Sequence, residues 1–238
     1  MKEKNPLSIH QPNFLPWVGY FVKVCLSEKH VILDDVEYSK NNWINRNKIF
    51  INEDIFLTIP VKKEDTNKKI NEVRLGDNYQ YTINKMTKLF NYNYKNLAGF
   101  EAIEDLFLRL KSNNFTKLYE VNNFLLRNIF DYLEIETELI LSSDINIDKN
   151  LKSNDYLIAI CKRLEFSSYL SGQGARDYLD ESLFKKNNID VIWNNDINKI
   201  LDINNISHNS IIEFIATNGD QSSKIINYIV EKVSLNDK

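Results

Sequence analysis

Residues 6–35 read PLSIHQPNFLPWVGYFVKVCLSEKHVILDD, and the fold is decided in this stretch. Pro6 to Ile9 reads as a short opening strand. Pro12 and Pro16 forbid a helix through the loop His10-Gln11-Pro12-Asn13-Phe14-Leu15-Pro16-Trp17 and hold it partly extended. From Val18 to Ser27 the pattern turns helical, with Val18, Phe21, Val22, Cys25 and Leu26 on one face. Val31-Ile32-Leu33 then runs into Asp34-Asp35, the form of a buried strand whose C-terminal end carries polar groups. Strand, loop, helix and strand in so short a span make a βαβ unit, whose crossover is parallel and right-handed.

Working outward, residues 38–48 are polar around Trp43 and read as a loop. Ile49–Val61 reads as a β-hairpin turning at Asn52-Glu53-Asp54, with Pro60 placing its second strand at an edge. Val73-Arg74-Leu75 suggests a further short strand. Three helical patterns follow, over about 80–97, 100–111 and 116–133, and form a helical insert at about 80–134. The α/β pattern resumes with a strand at Glu138–Leu141, a helix capped by Ser153 and running to about Glu165, and a strand at Ser168–Leu170. A helix over Asp180–Asn188, a strand at Asp190–Trp193 and helices at about 208–217 and 221–233 complete the chain. The Asn-rich stretch 194–209 reads as solvated loop. The fold class expected is α/β: a mostly parallel Rossmann-like sheet with flanking helices, a β-hairpin and an inserted helical lobe, in a single domain over 1–238.

The 238 residues are 43% hydrophobic and 12% aromatic, enough for a core, so wholesale disorder is excluded. A net charge of −3 argues against non-specific nucleic-acid binding, which rewards a basic face. No apolar run is long enough to span a membrane, and residues 1–9 lack the apolar region of a secretion signal. With two cysteines, Cys25 and Cys161, both in apolar surroundings, the expected compartment is cytoplasmic. His10, His30 and His208 have no metal-finger spacing, so no metal site is expected. Asp34 and Asp35 could hold a magnesium ion near phosphates, but adjacent strand positions project in different directions and solvent-facing acids are the simpler reading. Asparagine is so abundant that any single one carries little weight.

Two places could carry chemistry. In an open parallel sheet, ligands bind beyond the C-terminal ends of strands, where the strand order reverses. His10, Gln11 and Asn13 leave the first strand at such an end, and Asp34 and Asp35 leave the second. Lys40, Arg46 and Lys48 follow, and Trp17, Tyr20, Tyr38 and Trp43 add aromatic surface. The bland alternative is a loop stiffened by two prolines, with His10 bonded to a carbonyl. The second place is Ser171-Gly172-Gln173-Gly174, where glycines let backbone N–H groups approach a ligand and Ser171 adds a hydroxyl. The bland alternative there is a tight turn whose glycines supply positive φ. There is no Walker loop, G-x-S-x-G elbow, HExxH or CxxC.

The segments IHQPNFLPWVGYFVK (9–23), LDDVEYSKNNWINRNKI (33–49) and LTIPV (57–61), then YLSGQGARDYLD (169–180) and NNIDVIW (187–193), resemble the WbqC-like family in that order. That family is associated with bacterial O-antigen, capsule and related surface-glycan (lipopolysaccharide) clusters. The resemblance implies modification of a sugar precursor, including attachment of an acyl or aminoacyl group such as glycyl to an amino sugar. Carried onto this chain, the matching positions are His10, Gln11, Asn13, Trp17, Tyr20, Asp35, Tyr38, Lys40, Asn45 and Arg46, then Ser171, Gly172 and Gly174. Glu37 stands where the family often has glutamine. The loop is also similar to the histidine-bearing loop of class I nucleotidylyltransferases and pantoate–β-alanine ligase. It lacks their second histidine and intervening glycine, which puts ATP binding in doubt.

The expected activity is a transferase moving an acyl or aminoacyl group to the amine of a nucleotide-linked amino sugar. His10 is the general base, Asp35 orients it or replaces it, and Lys40 and Arg46 hold a pyrophosphate. Trp17 or Trp43 stacks on a base or sugar, and the Ser171–Gly174 turn contacts a second substrate. The alternatives are an ATP-dependent amide ligase and a non-catalytic sugar-binding or scaffolding protein. The partner is a small nucleotide sugar, with acyl-CoA or ATP and magnesium as possible co-reactants and a homodimer as a possible assembly.

Overall fold

A computed structural model describes residues 5–194 and 196–236, with side chains described through Val233. The first strand, β1 (Leu7–His10), is followed by α1 (Val18–Cys25) and β2 (Lys29–Ile32). β1 and β2 pair in parallel with Ser8 opposite His30 and His10 opposite Ile32, so the βαβ unit is built as the sequence predicts. A hairpin, β3 (Arg46–Ile51) and β4 (Glu53–Thr58), forms a separate two-stranded sheet. Its turn residue Asn52 takes φ 60°, a left-handed conformation that asparagine tolerates. Val73–Leu75 forms no strand: Arg74 and Leu75 make only isolated bridges, to Lys117 and Val61.

The insert consists of α2 (Tyr79–Tyr94), α3 (Phe100–Ser112) and α4 (Leu118–Tyr132). The chain then re-enters the sheet as β5 (Glu138–Leu141), crosses through α5 (Ser153–Arg163) to β6 (Ser168–Ser171), and through α6 (Glu181–Lys186) to β7 (Asp190–Trp193). Ser153 opens α5 with φ 49° and makes no side-chain cap, because its backbone turns left-handed there; Asp180 does cap α6, accepting from the N–H groups of Ser182 and Leu183. The Asn-rich stretch contains a helix, α7 (Ile197–Ile203), which buries Ile197, Ile200 and Leu201. Burial of that i, i+3, i+4 triplet outweighs the polar residues around it. α8 (Ile211–Asn218) and α9 (Ser222–Asn236) close the chain.

The five-stranded sheet has the order β5-β2-β1-β6-β7, all parallel. From β1 the chain builds outward to β2 and β5 on one side, and later to β6 and β7 on the other. The strand order therefore reverses between β1 and β6. Side-chain alternation assigns the two faces. Leu7, Ile9 and Val31 pack with Tyr156, Ile160, Cys161 and Phe184 of α5 and α6. On the other face the core joins α1 to the insert and to α7–α9, with Phe21 of α1 set against Phe130 of α4 at 5.8 Å. The insert therefore shares the core of this face. Phe21 is fully buried, and its truncation to alanine would cost about 3–5 kcal/mol.

The N-terminal loop is pinned from four sides. Asn122 of α4, wholly buried, donates to the carbonyls of Pro12 and Ile44, both at 2.7 Å. Asn47 of β3 and Ser210, the cap of α8, donate to the carbonyl of Leu15 at 2.6 and 2.9 Å. The N–H of Phe14 donates to the carbonyl of Trp43. These bonds satisfy a buried backbone that the two prolines keep out of any helix or ladder. Several asparagines of this chain thus have definite architectural tasks, which composition alone concealed.

Candidate active site

Because residues i and i+2 of a strand share a face, Ser8 and His10 both point toward α1, as does His30 from β2. The wholly buried His30 has partners the sequence did not reveal: Nδ1 lies 2.7 Å from Ser8 Oγ and Nε2 lies 2.8 Å from the Tyr20 hydroxyl. Tyr20 also meets the His10 ring edge-on at 5.2 Å. The position of His10 at the end of β1 is thus set by the strand beneath it and by α1 above.

His10 Nδ1 lies 3.0 Å from the Gln11 carbonyl oxygen. A carbonyl only accepts, so Nδ1 carries the proton and the lone pair sits on Nε2, which has no hydrogen bond among the described residues. Burial, then the charge of Lys23, lowers the His10 pKa to about 3, so the ring is neutral at pH 7.

His10 lines two cavities. One, of about 220 Å³, is bounded by Trp17, Gly19, Tyr20 and Lys23 of the loop and α1, by Gly172, Gln173 and Gly174 after β6, and by Asn194 and Asn198. It lies at the reversal of strand order. The other, of about 390 Å³, opens on the α5 side among Gln11, Leu33, Tyr156, Tyr169 and Tyr178. A third, of about 380 Å³, shares Val36, Ser153 and Tyr156 with the second and is lined by Asp35, Lys68, Lys69, Lys149 and Lys152.

The structure therefore divides the predicted residues. His10, Trp17, Tyr20, Gly172 and Gly174 converge on the first cavity, and Gln11 on the second. Gly172 has φ −79°, and Gly219 is the glycine with positive φ among the described residues, so the turn's glycines do not serve a left-handed backbone. A Cβ at Gly172 or Gly174 would meet open space; their bareness leaves room. At Gly19 the reason is close approach: a Cβ would fall 2.2 Å from the Trp17 indole. Trp17 also stacks on His208, which is held by Asp202 at 2.7 Å. Ser171 is buried beneath the turn, its hydroxyl 3.5 Å from the Gly172 carbonyl, and Asn13 is buried in the loop.

Asp35 does not orient His10, whose Nδ1 is taken by Gln11. Its carboxylate contacts the hydroxyls of Ser142 and Tyr156 and the ammonium of Lys149, the last at 2.9 Å. Burial would raise the Asp35 pKa, and these three partners hold it below the ordinary value. Asp34 and Asp35 are both buried rather than solvent-facing, because the Ser142 hydroxyl at the end of β5 sits between them and the Ser143 N–H and hydroxyl bind Asp34. Lys40 and Arg46 line none of these cavities: Lys40 is exposed, and the Arg46 guanidinium lies over the Phe56 ring at 4.8 Å on the hairpin. Trp43 is exposed and lines none of them either. Asn45 ties its loop to the segment just after β4 by donating to the Ile59 carbonyl. Tyr38 is a core residue whose hydroxyl burial raises its pKa to about 12.

Cys25 and Cys161 are unpaired, and burial pushes both thiols up to about 12, which keeps them inert. Among the described residues no three His, Cys, Asp or Glu side chains cluster as metal ligands, and no helix is long and apolar enough to cross a membrane.

The residue that sequence reasoning missed is Lys23. It is 5% exposed, lines the first cavity and has no ion pair or hydrogen bond from its ammonium among the described residues. Burial lowers its pKa to about 8. The available signal was a lysine in the last turn of an otherwise apolar helix, three residues from Tyr20 and so on the same face.

Compared with known proteins, the chain matches the WbqC-like protein family over residues 11–225. It belongs to that family. The matched span takes in the loop, α1 and the β6 turn, and so nearly all of the first cavity; His10 stands immediately before it. This WbqC-like chain is also similar to an uncharacterized protein of Mycobacterium tuberculosis, Rv1507c, with 32% identity over 190 residues, 79% of this chain and 80% of that protein. No solved structure matches it.

Proposed function

We propose that this WbqC-like protein is an enzyme of bacterial surface-glycan biosynthesis that transfers an acyl or aminoacyl group to the amine of a nucleotide-linked amino sugar. The observation that carries this reading is the neutral His10, with an open Nε2, shared by two cavities at the reversal of the sheet. A transfer needs two substrates on either side of one proton acceptor. In the reaction, the amine nitrogen forms a bond to the acyl carbon, and the bond from that carbon to the donor's leaving group, such as a thiolate, breaks. His10 Nε2 takes the proton that the attacking nitrogen must lose, a transfer that requires bound substrate to make the ring more basic than its resting pKa of about 3, and returns it to the leaving group.

Trp17 borders the smaller cavity, where its indole, held between His208 and Gly19, adds apolar surface beside a base or sugar ring. The larger cavity beside Tyr156 and Tyr178 suits the bulkier reactant. Purified protein incubated with dTDP- and UDP-amino sugars and acyl-CoA thioesters, followed by mass spectrometry, tests the reading. The expected product carries the acyl mass on the sugar. His10→Ala is expected to slow its formation about 10²–10⁴-fold. A His10→Ala protein with full activity removes the base assignment, and no product with any pair of substrates removes the transfer.

A further inference from the structure

We infer that the cavity beneath Trp17 is a binding site for an anionic group, a phosphoryl or a carboxylate, with Lys23 as its counter-ion. The inference deepens the proposed function, in that it assigns chemistry to one side of His10, but it is read through binding rather than turnover.

Three observations carry it. The Lys23 side chain is more than nine-tenths buried, and its ammonium has no partner among the described residues. Among the described residues no carboxylate lines the cavity, which is bounded by uncharged groups apart from Lys23 itself. His10 and His30 feel Lys23 as a repelling positive charge. A cation withdrawn from water without a counter-ion is costly, so its retention calls for a compensating anion from outside the chain.

The remaining lining suits such a guest. Gly172 and Gly174 leave open space where side chains would stand, and about 220 Å³ accommodates a phosphoryl or carboxylate head with part of its carrier. The Oδ1 of Asn194 is buried without a partner among the described residues and can accept from a hydroxyl or amine next to the anion. Lysine acts on phosphate or carboxylate as a point charge, which fits a pocket with a single cation. Binding would also act on the base. Neutralising Lys23 removes one of the two influences that weaken His10, so the imidazole becomes more basic when the anion is seated.

The test compares wild type with Lys23→Met in thermal unfolding and calorimetry, using inorganic phosphate and acetate against chloride at matched ionic strength. Wild type is expected to show a saturable rise in Tm with one of the two anions, about 5–10 °C at a hundred times Kd. Lys23→Met is expected to lose that response while being at least as stable as wild type without anion, which separates lost binding from misfolding. A response to phosphate assigns a phosphoryl group, and one to acetate assigns a carboxylate. An equal response in Lys23→Met, or no response of wild type to either anion, overturns the site. A seated anion with no acyl transfer would discard only the transferase reading.

Discussion

Lys23 and Asp65 are both charged side chains withdrawn from water, and the chain treats them in opposite ways. Asp65 is 0% exposed, and it is saturated. Arg74 grips both of its oxygens through Nε and a terminal nitrogen at 2.8 and 2.9 Å, the Arg74 backbone N–H adds a third bond, and Lys68 pairs with it at 2.8 Å. These partners, Arg74 first, hold its carboxyl well below the usual range. Lys23 has a cavity where its partner would be, and its pKa moves toward the neutral form. Where the fold needs a charge to join segments, it supplies the counter-charges itself. An unmet charge on a cavity wall therefore marks a place built for something else.

Substitutions sharpen this contrast. Asp65→Asn should cost the most stability, about 2 kcal/mol by urea unfolding. That is below the usual penalty for breaking a buried pair, because Arg74 and Lys68 are half-exposed and can turn to water. Lys23→Met should have the opposite sign, stabilising the ligand-free protein by about 1–2 kcal/mol, since it removes an uncompensated buried charge. A loss of stability at Lys23→Met would show that the ammonium is satisfied and would dissolve the contrast.

The pH dependence follows from the same shift. Lys23 holds its proton less firmly folded than unfolded, so between about pH 8 and its ordinary value of 10.5 the unfolded chain binds more protons and stability rises with pH. Tyrosines and cysteines lose protons in the same range in the unfolded chain while burial holds them protonated in the folded one, so the quantity to measure is the difference between wild type and Lys23→Met. Its slope should be positive. Smallest in stability is Gly172→Ala, expected within about 0.5 kcal/mol of wild type because neither φ nor space resists a methyl group. The same methyl group narrows the cavity and should weaken anion binding, which calorimetry would detect.

Much of the frame was legible in local pattern. Two prolines, an apolar helix face and a short run ending in acids specify β1-α1-β2, and strands Glu138–Leu141 and Asp190–Trp193 have the bounds expected from their short apolar runs. The site was legible where one short segment supplies it, as with His10, Trp17 and Tyr20. Across the sheet the turn at Gly172 and Gly174 was legible as well, but the partners of Asp35 were not. Ser142, Lys149 and Tyr156 reach Asp35 because β5 pairs with β2 from more than a hundred residues away. Lys23 was hidden for another reason: α1 is buried nearly all round, so no polar face announced which of its residues meets a cavity.

The central claim is that His10 stands at the sheet end as a neutral imidazole with Nε2 open. Long-range proton–nitrogen correlation of the three histidines through a pH titration, with His10→Gln for assignment, tests it most directly. The account predicts that His10 holds its proton on Nδ1 and stays neutral far below pH 6.5, toward about 3. A proton on Nε2, or titration near 6.5, would contradict it.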